Sequence, residues 1–194
     1  MTDAVLGDDK HASAELTLAL KLAKTREPSR AEKIRAVILL TKAHSRSQPS
    51  PIGKDLGPLD SKFITAMHNL SSGRTEDAIR SLRFLTEKDD DPLYAFFLSK
   101  AYMTNRNWQS AAESMKYVQD AKGRLPTQSD LPVVAWPLSF YYIGICEQNL
   151  GHSNEAVSSY RRFLDLWSRA DTGLPQVADA RKGLARSLPK SQVE

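Results

Sequence analysis

Residues 137–167, PLSFYYIGICEQNLGHSNEAVSSYRRFLDLW, decide the fold. Apolar side chains recur every three or four residues on both sides of Gly151, which is the spacing that places them on one face of an α-helix. Gly151 interrupts the pattern, so the stretch predicts two helices folded back on each other. Small residues stand where the helices must approach, Gly144 in the first and Ala156 in the second. The hairpin carries more apolar surface than two helices can bury, and we expect it to stack on neighbours.

Two earlier stretches follow the same plan. Residues 59–85 read LDSKFITAMHNLSSGRTEDAIRSLRFL and residues 93–118 read LYAFFLSKAYMTNRNWQSAAESMKYV. In an ungapped alignment Ala78, Ala111 and Ala156 coincide at the start of each second helix, 33 and 45 residues apart. A helix pair repeated about every 34 residues is the tetratricopeptide signature. The longer spacing equals that length plus a loop insertion.

The repeats resemble the tetratricopeptide repeat family most closely at Ile143-Gly144, Gly151, Ala156 and Tyr160. The tryptophan that the family often carries early in the first helix is replaced here by Phe140. This resemblance implies an all-α fold in which antiparallel helix pairs stack into a short right-handed superhelix, an α-solenoid. It also implies a non-catalytic scaffold that binds a protein or peptide.

The last part of the chain resembles one particular group of tetratricopeptide proteins. Residues 163–185, FLDLWSRADTGLPQVADARKGLA, look like the closing repeat of tetratricopeptide tails on bacterial winged-helix transcription regulators and serine/threonine kinases. That similarity covers residues 92–188 and implies a sensory or docking module in a bacterial regulatory or signalling context. It does not extend to DNA binding or phosphoryl transfer, because the regulator or kinase part is missing from this sequence.

Capping residues, prolines and glycines set the predicted boundaries of the segments. Ser29 and Glu32 form a capping box between two amphipathic patterns, and prolines and glycines cluster before residue 59. We predict a disordered segment at 1–11, a helix pair at 12–45, a linker at 46–58, three repeats at 59–174 with an insertion at 123–136, a capping helix at 175–188 and a disordered tail at 189–194. The 12–45 pair is either a decayed fourth repeat or an independent element.

Composition limits the classes of function. The net charge of +4 is spread evenly along the 194 residues, whereas nucleic-acid binders usually concentrate basic residues. No apolar run approaches the length of a membrane span, and the first residues lack the apolar core of a secretory signal. The single cysteine, Cys146, cannot form an internal disulfide. These features predict a cytoplasmic protein that does not bind membranes.

Catalytic motifs are missing from the sequence. No phosphate-binding loop, dinucleotide fingerprint, H-E-x-x-H or C-x-x-C occurs, and the four histidines are scattered. We interpret Glu147 and Glu155 as solvated helix residues, and Cys146 as a buried small apolar side chain. The prediction is therefore a protein that is not an enzyme and needs no cofactor or metal.

The repeat register predicts the binding surface. In stacked helix pairs the first helices line the concave face, which here gives a groove formed by Phe63, Met67, Phe96, Lys100, Met103, Tyr141, Ile145 and Gln148. An apolar groove with one fixed charge suits an apolar peptide segment or an amphipathic helix. Two alternatives stay open: the groove is free, or residues 12–45 or 123–136 fill it. Association of the exposed end units into an oligomer is equally open.

Other ligands fit this groove less well. Some chaperone-linked members of the tetratricopeptide family clamp a C-terminal carboxylate with Lys and Asn. The matching positions in the first unit here hold Phe63 and Met67, so we predict no such clamp. A helical-repeat nucleic-acid-binding protein is the alternative function; it would need several basic groove residues, and only Lys100 is placed there. An enzyme that uses the groove as its pocket is a third hypothesis.

Overall fold

The computed structural model describes residues 57–123, 135–167 and 175–189. Within these ranges the chain forms seven α-helices and no β-strand, which confirms the all-α prediction for this part of the protein. The helices are α1 (Pro58–Ser71), α2 (Thr75–Lys88), α3 (Pro92–Thr104), α4 (Trp108–Asp120), α5 (Ala135–Leu150), α6 (Ser153–Leu166) and α7 (Pro175–Ser187). The predictions for 1–11 and 12–45, and most of those for 46–58, 123–136 and 189–194, lie outside the described residues.

Two of the helices begin with a side-chain cap, and a third begins without one. The Asp91 side chain accepts a hydrogen bond of 2.9 Å from the Leu93 amide, and Pro92 occupies the first helical position of α3. Asn107 caps α4 through the Ser110 amide at 3.3 Å. Helix α2 begins at Thr75, and Arg74 precedes it without a side-chain cap bond.

Three hairpin turns share one backbone geometry. Among the described residues, positive φ angles occur at Gly73 (77°), Arg106 (56°) and Gly151 (81°), which recur at the spacings of the three alanines. In each turn the next amide bonds to the carbonyl five residues earlier: Arg74 to Asn69 at 2.8 Å, Asn107 to Tyr102 at 2.9 Å and His152 to Glu147 at 2.9 Å. This closure is a Schellman-type helix end. The repeat is therefore visible in the backbone and not only in the side-chain pattern.

The buried side chains follow the same register. Ala78, Ala111 and Ala156 have no exposed surface at all. Their first-helix counterparts Ala66, Ser99 and Gly144 are also buried. The Ser99 hydroxyl donates a 2.7 Å hydrogen bond to the Ala111 carbonyl and so connects α3 to α4. Small residues at both positions let the two helices of each hairpin approach closely.

Neighbouring helices pack in sequence order. Each helix contacts the next one in the chain, and α7 contacts α5 as well as α6. The outer helices bury a single stripe, as α6 does with Ala156, Tyr160 and Phe163. Residues 92–99 of α3, in contrast, are all buried. Helices α3 and α5 are therefore apolar on most sides because they lie between neighbours.

Two boundaries differ from the sequence prediction. Helix α1 begins at Pro58 and α5 begins at Ala135, so the helices take up the last residue assigned to the linker and the last two assigned to the insertion. The predicted capping helix at 175–188 corresponds to α7, which packs on the final hairpin.

Candidate functional site

The eight residues predicted to line the groove separate into two sets. Four are buried, with exposed fractions of 0–9%: Phe63, Met67, Phe96 and Tyr141. The other four are half-buried: Lys100, Met103, Ile145 and Gln148. Only the second set offers surface to a partner in this conformation, so the groove predicted from the register is larger than the surface the structure presents.

The buried set connects the hairpins to each other. The Phe63 ring lies 5.5 Å from the Tyr94 ring and 5.6 Å from the Phe97 ring, centroid to centroid, so it joins α1 to α3. Phe96 lies 5.9 Å from Tyr142 and joins α3 to α5. The large aromatic side chains on these helices contact the next hairpin and do not line the predicted groove. Successive rings 5.1–5.9 Å apart run through Phe63, Phe97, Phe96, Tyr142, Tyr141, Phe163 and Trp167.

Tyr141 takes part in the attachment of α7. Its ring lies 5.4 Å from the Phe163 ring, and its hydroxyl donates a 2.8 Å hydrogen bond to Oδ2 of Asp179. Burial, followed by the neighbouring Asp179 carboxylate, raises the pKa of Tyr141 far above its usual value. Tyr141 is therefore a neutral donor in the core, and it is not a groove residue.

Lys100 is the charged residue of the remaining surface, and its partner Tyr142 is only 5% exposed. Lys100 Nζ donates a 2.9 Å hydrogen bond to the Tyr142 hydroxyl and lies 4.3 Å from the centroid of the same ring. Lys100 belongs to α3 and Tyr142 to α5, so the contact bridges two hairpins. The sequence assigned Lys100 to the groove by helix face, but its hydrogen-bond partner, 42 positions away, could not be read from the sequence.

Apolar and amide groups flank this pair. Met103 and Ile145 pack against the core with part of their surface and leave the rest accessible. The Gln148 Oε1 accepts a 2.9 Å hydrogen bond from the Tyr160 hydroxyl. Hereafter "groove face" means the surface formed by Lys100, Met103, Ile145 and Gln148.

Glu147 is the polar residue that sequence reasoning placed wrongly. It is only 6% exposed instead of solvated, whereas Glu155 lies on the surface. Its carboxylate lies 3.6 Å from Lys116 Nζ on α4 and 2.8 Å from His152 Nδ1 at the start of α6. The turn next to Glu147 brings His152 back to it, but Lys116 comes from the preceding hairpin. The sequence offered one signal, which is the position of Glu147 relative to the hairpin turn. Glu147 lies five residues before His152, as Tyr102 lies five residues before Asn107, and the backbone bond that closes the turn joins both pairs.

Cys146 has no character of a nucleophile. It is fully buried, and burial, helped by the adjacent Glu147 charge, raises the pKa of its thiol to about 12. The thiol is therefore protonated at neutral pH. The burial predicted for Cys146 is confirmed.

An open depression of about 430 Å³ lies on the outer side of α6. The described residues that line it all belong to α6: Asn154, Val157, Ser158, Arg161, Arg162 and Asp165. They do not include the groove face. In the part of the chain that the structure describes, no three His, Cys, Asp or Glu side chains cluster closely enough to hold a metal ion. Nor does any helix in those ranges have the length and apolarity needed to cross a bilayer.

No protein-family model matches this chain, and no curated protein matches it. The function must therefore be inferred from the geometry described above.

Proposed function

We propose that the protein is a non-catalytic helical-repeat scaffold of the tetratricopeptide type that binds a protein or peptide through the groove face. The observation that carries this proposal is the half-buried pair Met103 and Ile145 on α3 and α5, which leaves apolar surface beside one cation. In this proposal the hairpins stack into a short right-handed superhelix, and the groove face lies on its concave side.

The physical basis of binding would be apolar burial on a preformed surface. Complete burial of one Met or Ile side chain contributes roughly 1.5–3 kcal/mol. The aromatic contacts between hairpins hold the supporting helices in place, which lowers the ordering cost of association. A short apolar segment or one face of an amphipathic helix matches the spacing of side chains on two adjacent helices.

The setting is part of the proposal. The resemblance of residues 92–188 to bacterial regulatory tails favours a docking module in a cytoplasmic signalling or regulatory system. A binding role without catalysis is supported by the state of two side chains that lie between Ile145 and Gln148 in the sequence of α5. Cys146 is buried with a raised pKa, and Glu147 is already engaged by Lys116 and His152.

The test is a comparative capture from a cell extract with the full-length chain. The proposal predicts a polypeptide that is retained by the wild type and lost when Met103→Glu and Ile145→Glu are combined. The matched control is Ser158→Glu, which adds a charge on the outer side of α6 and should retain the same polypeptide. Capture that is identical for all three proteins, or no specific capture, contradicts a binding role for the groove face.

A nucleic-acid ligand is a distinguishable outcome of the same experiment. If the captured material is RNA or DNA, its binding should weaken steeply between low and physiological salt, because counterions are released on phosphate contact. The groove face carries a single basic residue, Lys100, and we therefore expect no such salt-dependent nucleic-acid capture.

A further inference from the structure

Lys100 is a partly buried cation without a counter-ion among the described residues. The only hydrogen-bond partner of its Nζ among those residues is the Tyr142 hydroxyl, at 2.9 Å. Within those residues no carboxylate oxygen lies within the 4.0 Å that defines an ion pair with its Nζ. Glu147, further along α5 than Tyr142, is occupied by Lys116 and His152 instead. A partly desolvated ammonium group gains from an anion that approaches it from the open side.

The Lys100–Tyr142 pair offers more than one donor. An ammonium group has three hydrogens, and the bond to Tyr142 uses one of them. The Tyr142 hydroxyl accepts that bond, and its own hydrogen donates to no acceptor in the described part of the chain. Two donors from adjacent hairpins therefore stand together at the junction of the second and third hairpins. The two oxygens of a carboxylate match such a pair of donors.

We propose that the Lys100–Tyr142 pair binds the side-chain carboxylate of an Asp or Glu within an apolar segment of the partner. This inference rests on the proposed function, since it assigns chemistry to a ligand of the groove face. It specifies that ligand as an apolar segment interrupted by one acidic residue.

The surroundings favour an internal side chain over a chain end. Met103 lies one turn beyond Lys100 on α3, and Ile145 lies one turn beyond Tyr142 on α5, so accessible apolar surface continues past the pair. A bound segment must therefore continue past the site to cover it. The positions of the first hairpin equivalent to Lys100 and Tyr142 are Met67 and Ile64, which are buried and have no donor for a terminal carboxylate.

The site would contribute specificity as well as affinity. A segment with Gln in place of the acid keeps the shape but lacks the charge, and a segment with Lys would place two cations together. Removal of one charge-assisted contact of this kind weakens binding by about tenfold. Discrimination against a basic residue should be stronger still, because it is repulsive.

The experiment selects ligands from random sequences, so that the peptides themselves reveal the preferred chemistry. A phage-displayed library of random linear peptides is panned on the immobilised full-length chain. We expect the enriched peptides to contain apolar residues on both sides of one Asp or Glu. The best peptide and its Glu→Gln or Asp→Asn counterpart, both with amidated C-termini, are then compared by fluorescence anisotropy. The acidic peptide should bind about tenfold more tightly to the wild type.

Variants assign that preference to the pair. Lys100→Met should bring the ratio of the two dissociation constants close to one, whereas Lys100→Arg should preserve most of it. Tyr142→Phe keeps the ring and removes the hydroxyl, and should give an intermediate ratio. Lys182→Met removes an exposed lysine of α7 and is the matched control, with the wild-type ratio expected. Thermal unfolding of each variant separates a loss of fold from a loss of recognition.

Several results would overturn the inference. Enriched peptides without an acidic preference would do so, as would an unchanged ratio in Lys100→Met, or binding that amidation of the peptide C-terminus abolishes. In those cases peptide binding itself survives and only the carboxylate site fails. If no peptide is enriched on the wild type, the proposed function and this inference both fail.

Discussion

The Tyr160 ring of α6 lies directly against Gly144 of α5. A Cβ atom added at Gly144 would come within 2.8 Å of Cδ1 and Cε1 of that ring. The ring also meets Gly183 of α7, where an added Cβ would lie 2.5 Å from Cζ. One aromatic ring is thus enclosed by two glycines on different helices. The final hairpin and the last helix are held in contact at the distance these missing side chains permit.

The first prediction follows from this enclosure. Gly144→Ala and Gly183→Ala should each lower the free energy of unfolding by about 1–3 kcal/mol, the usual cost of overpacking a core. Alanine is the better helix former by up to about 1 kcal/mol. The strain outweighs this gain because Tyr160 is buried and anchored to Gln148. Urea denaturation measures the effect.

A double-mutant cycle supplies the control for that prediction. In a Tyr160→Leu background the alanine at position 144 or 183 should cost much less, because the ring that it meets is gone. Ser158→Ala, an exposed position of the same helix, should change stability by less than about 0.5 kcal/mol. Equal costs with and without the ring would contradict the close contact.

The second prediction concerns the turn of the middle hairpin. Arg106 adopts a φ of 56°, where Gly73 and Gly151 stand in the other two turns. Arg106→Gly should stabilise the protein by about 0.5–1 kcal/mol, because the left-handed strain of a residue with a Cβ exceeds the entropy cost of glycine. The melting temperature in a thermal scan should rise accordingly.

A matched exchange separates this turn effect from any general effect of losing an arginine. Arg83→Gly, at an exposed position inside α2, should destabilise by about 1 kcal/mol because glycine is a poor helix former. If both exchanges shift the melting temperature in the same direction, the turn geometry assigned to Arg106 is incorrect.

The third prediction uses the only cysteine. Cys146 is fully buried, and the pKa of its thiol is raised to about 12. At pH 8 an aromatic disulfide reagent should react with the native protein far more slowly than with the protein in guanidinium chloride, because the reagent needs an accessible thiolate. Comparable rates in the two states would mean that α5 is not enclosed as described.

The fourth prediction is a loss of stability in alkali. Burial, followed by the charge of Asp179, raises the pKa of Tyr160 from 10.0 to about 12. Because the folded state binds the proton more tightly, the full stability is present below pH 10 and is lost as the pH rises towards 12. The burial-raised pKa of Cys146 adds a loss of the same sign between pH 9 and 12. Urea denaturation from pH 8 to 11 should show this decline.

Tyr160→Phe isolates one part of that decline. The variant should be less stable at pH 8 by about 1 kcal/mol, since it loses the hydrogen bond to Gln148. Its stability should then fall less steeply above pH 10 than that of the wild type. A variant curve parallel to the wild-type curve would exclude Tyr160 as a contributor.

The sequence predicted what depends on local periodicity. The register of Ala78, Ala111 and Ala156 follows from apolar spacing, and the structure repeats it in the three left-handed turn residues. The sequence pattern could not distinguish Phe96, which packs on the next hairpin, from Lys100, which stays partly accessible. Both residues lie on the same helix, and the burial of each side chain depends on how far it reaches towards α5. Glu147 was misplaced for a similar reason, since its partner on α4 belongs to another hairpin.

Site-specific photocrosslinking tests the central claim most directly. A benzophenone amino acid is placed at Met103 or, in a second protein, at Ser158, and each full-length chain is irradiated in the extract that supplies the captured polypeptide. We expect a covalent adduct from position 103 and none from position 158. Adducts from position 158 alone, or from neither position while capture persists, would contradict binding at the groove face.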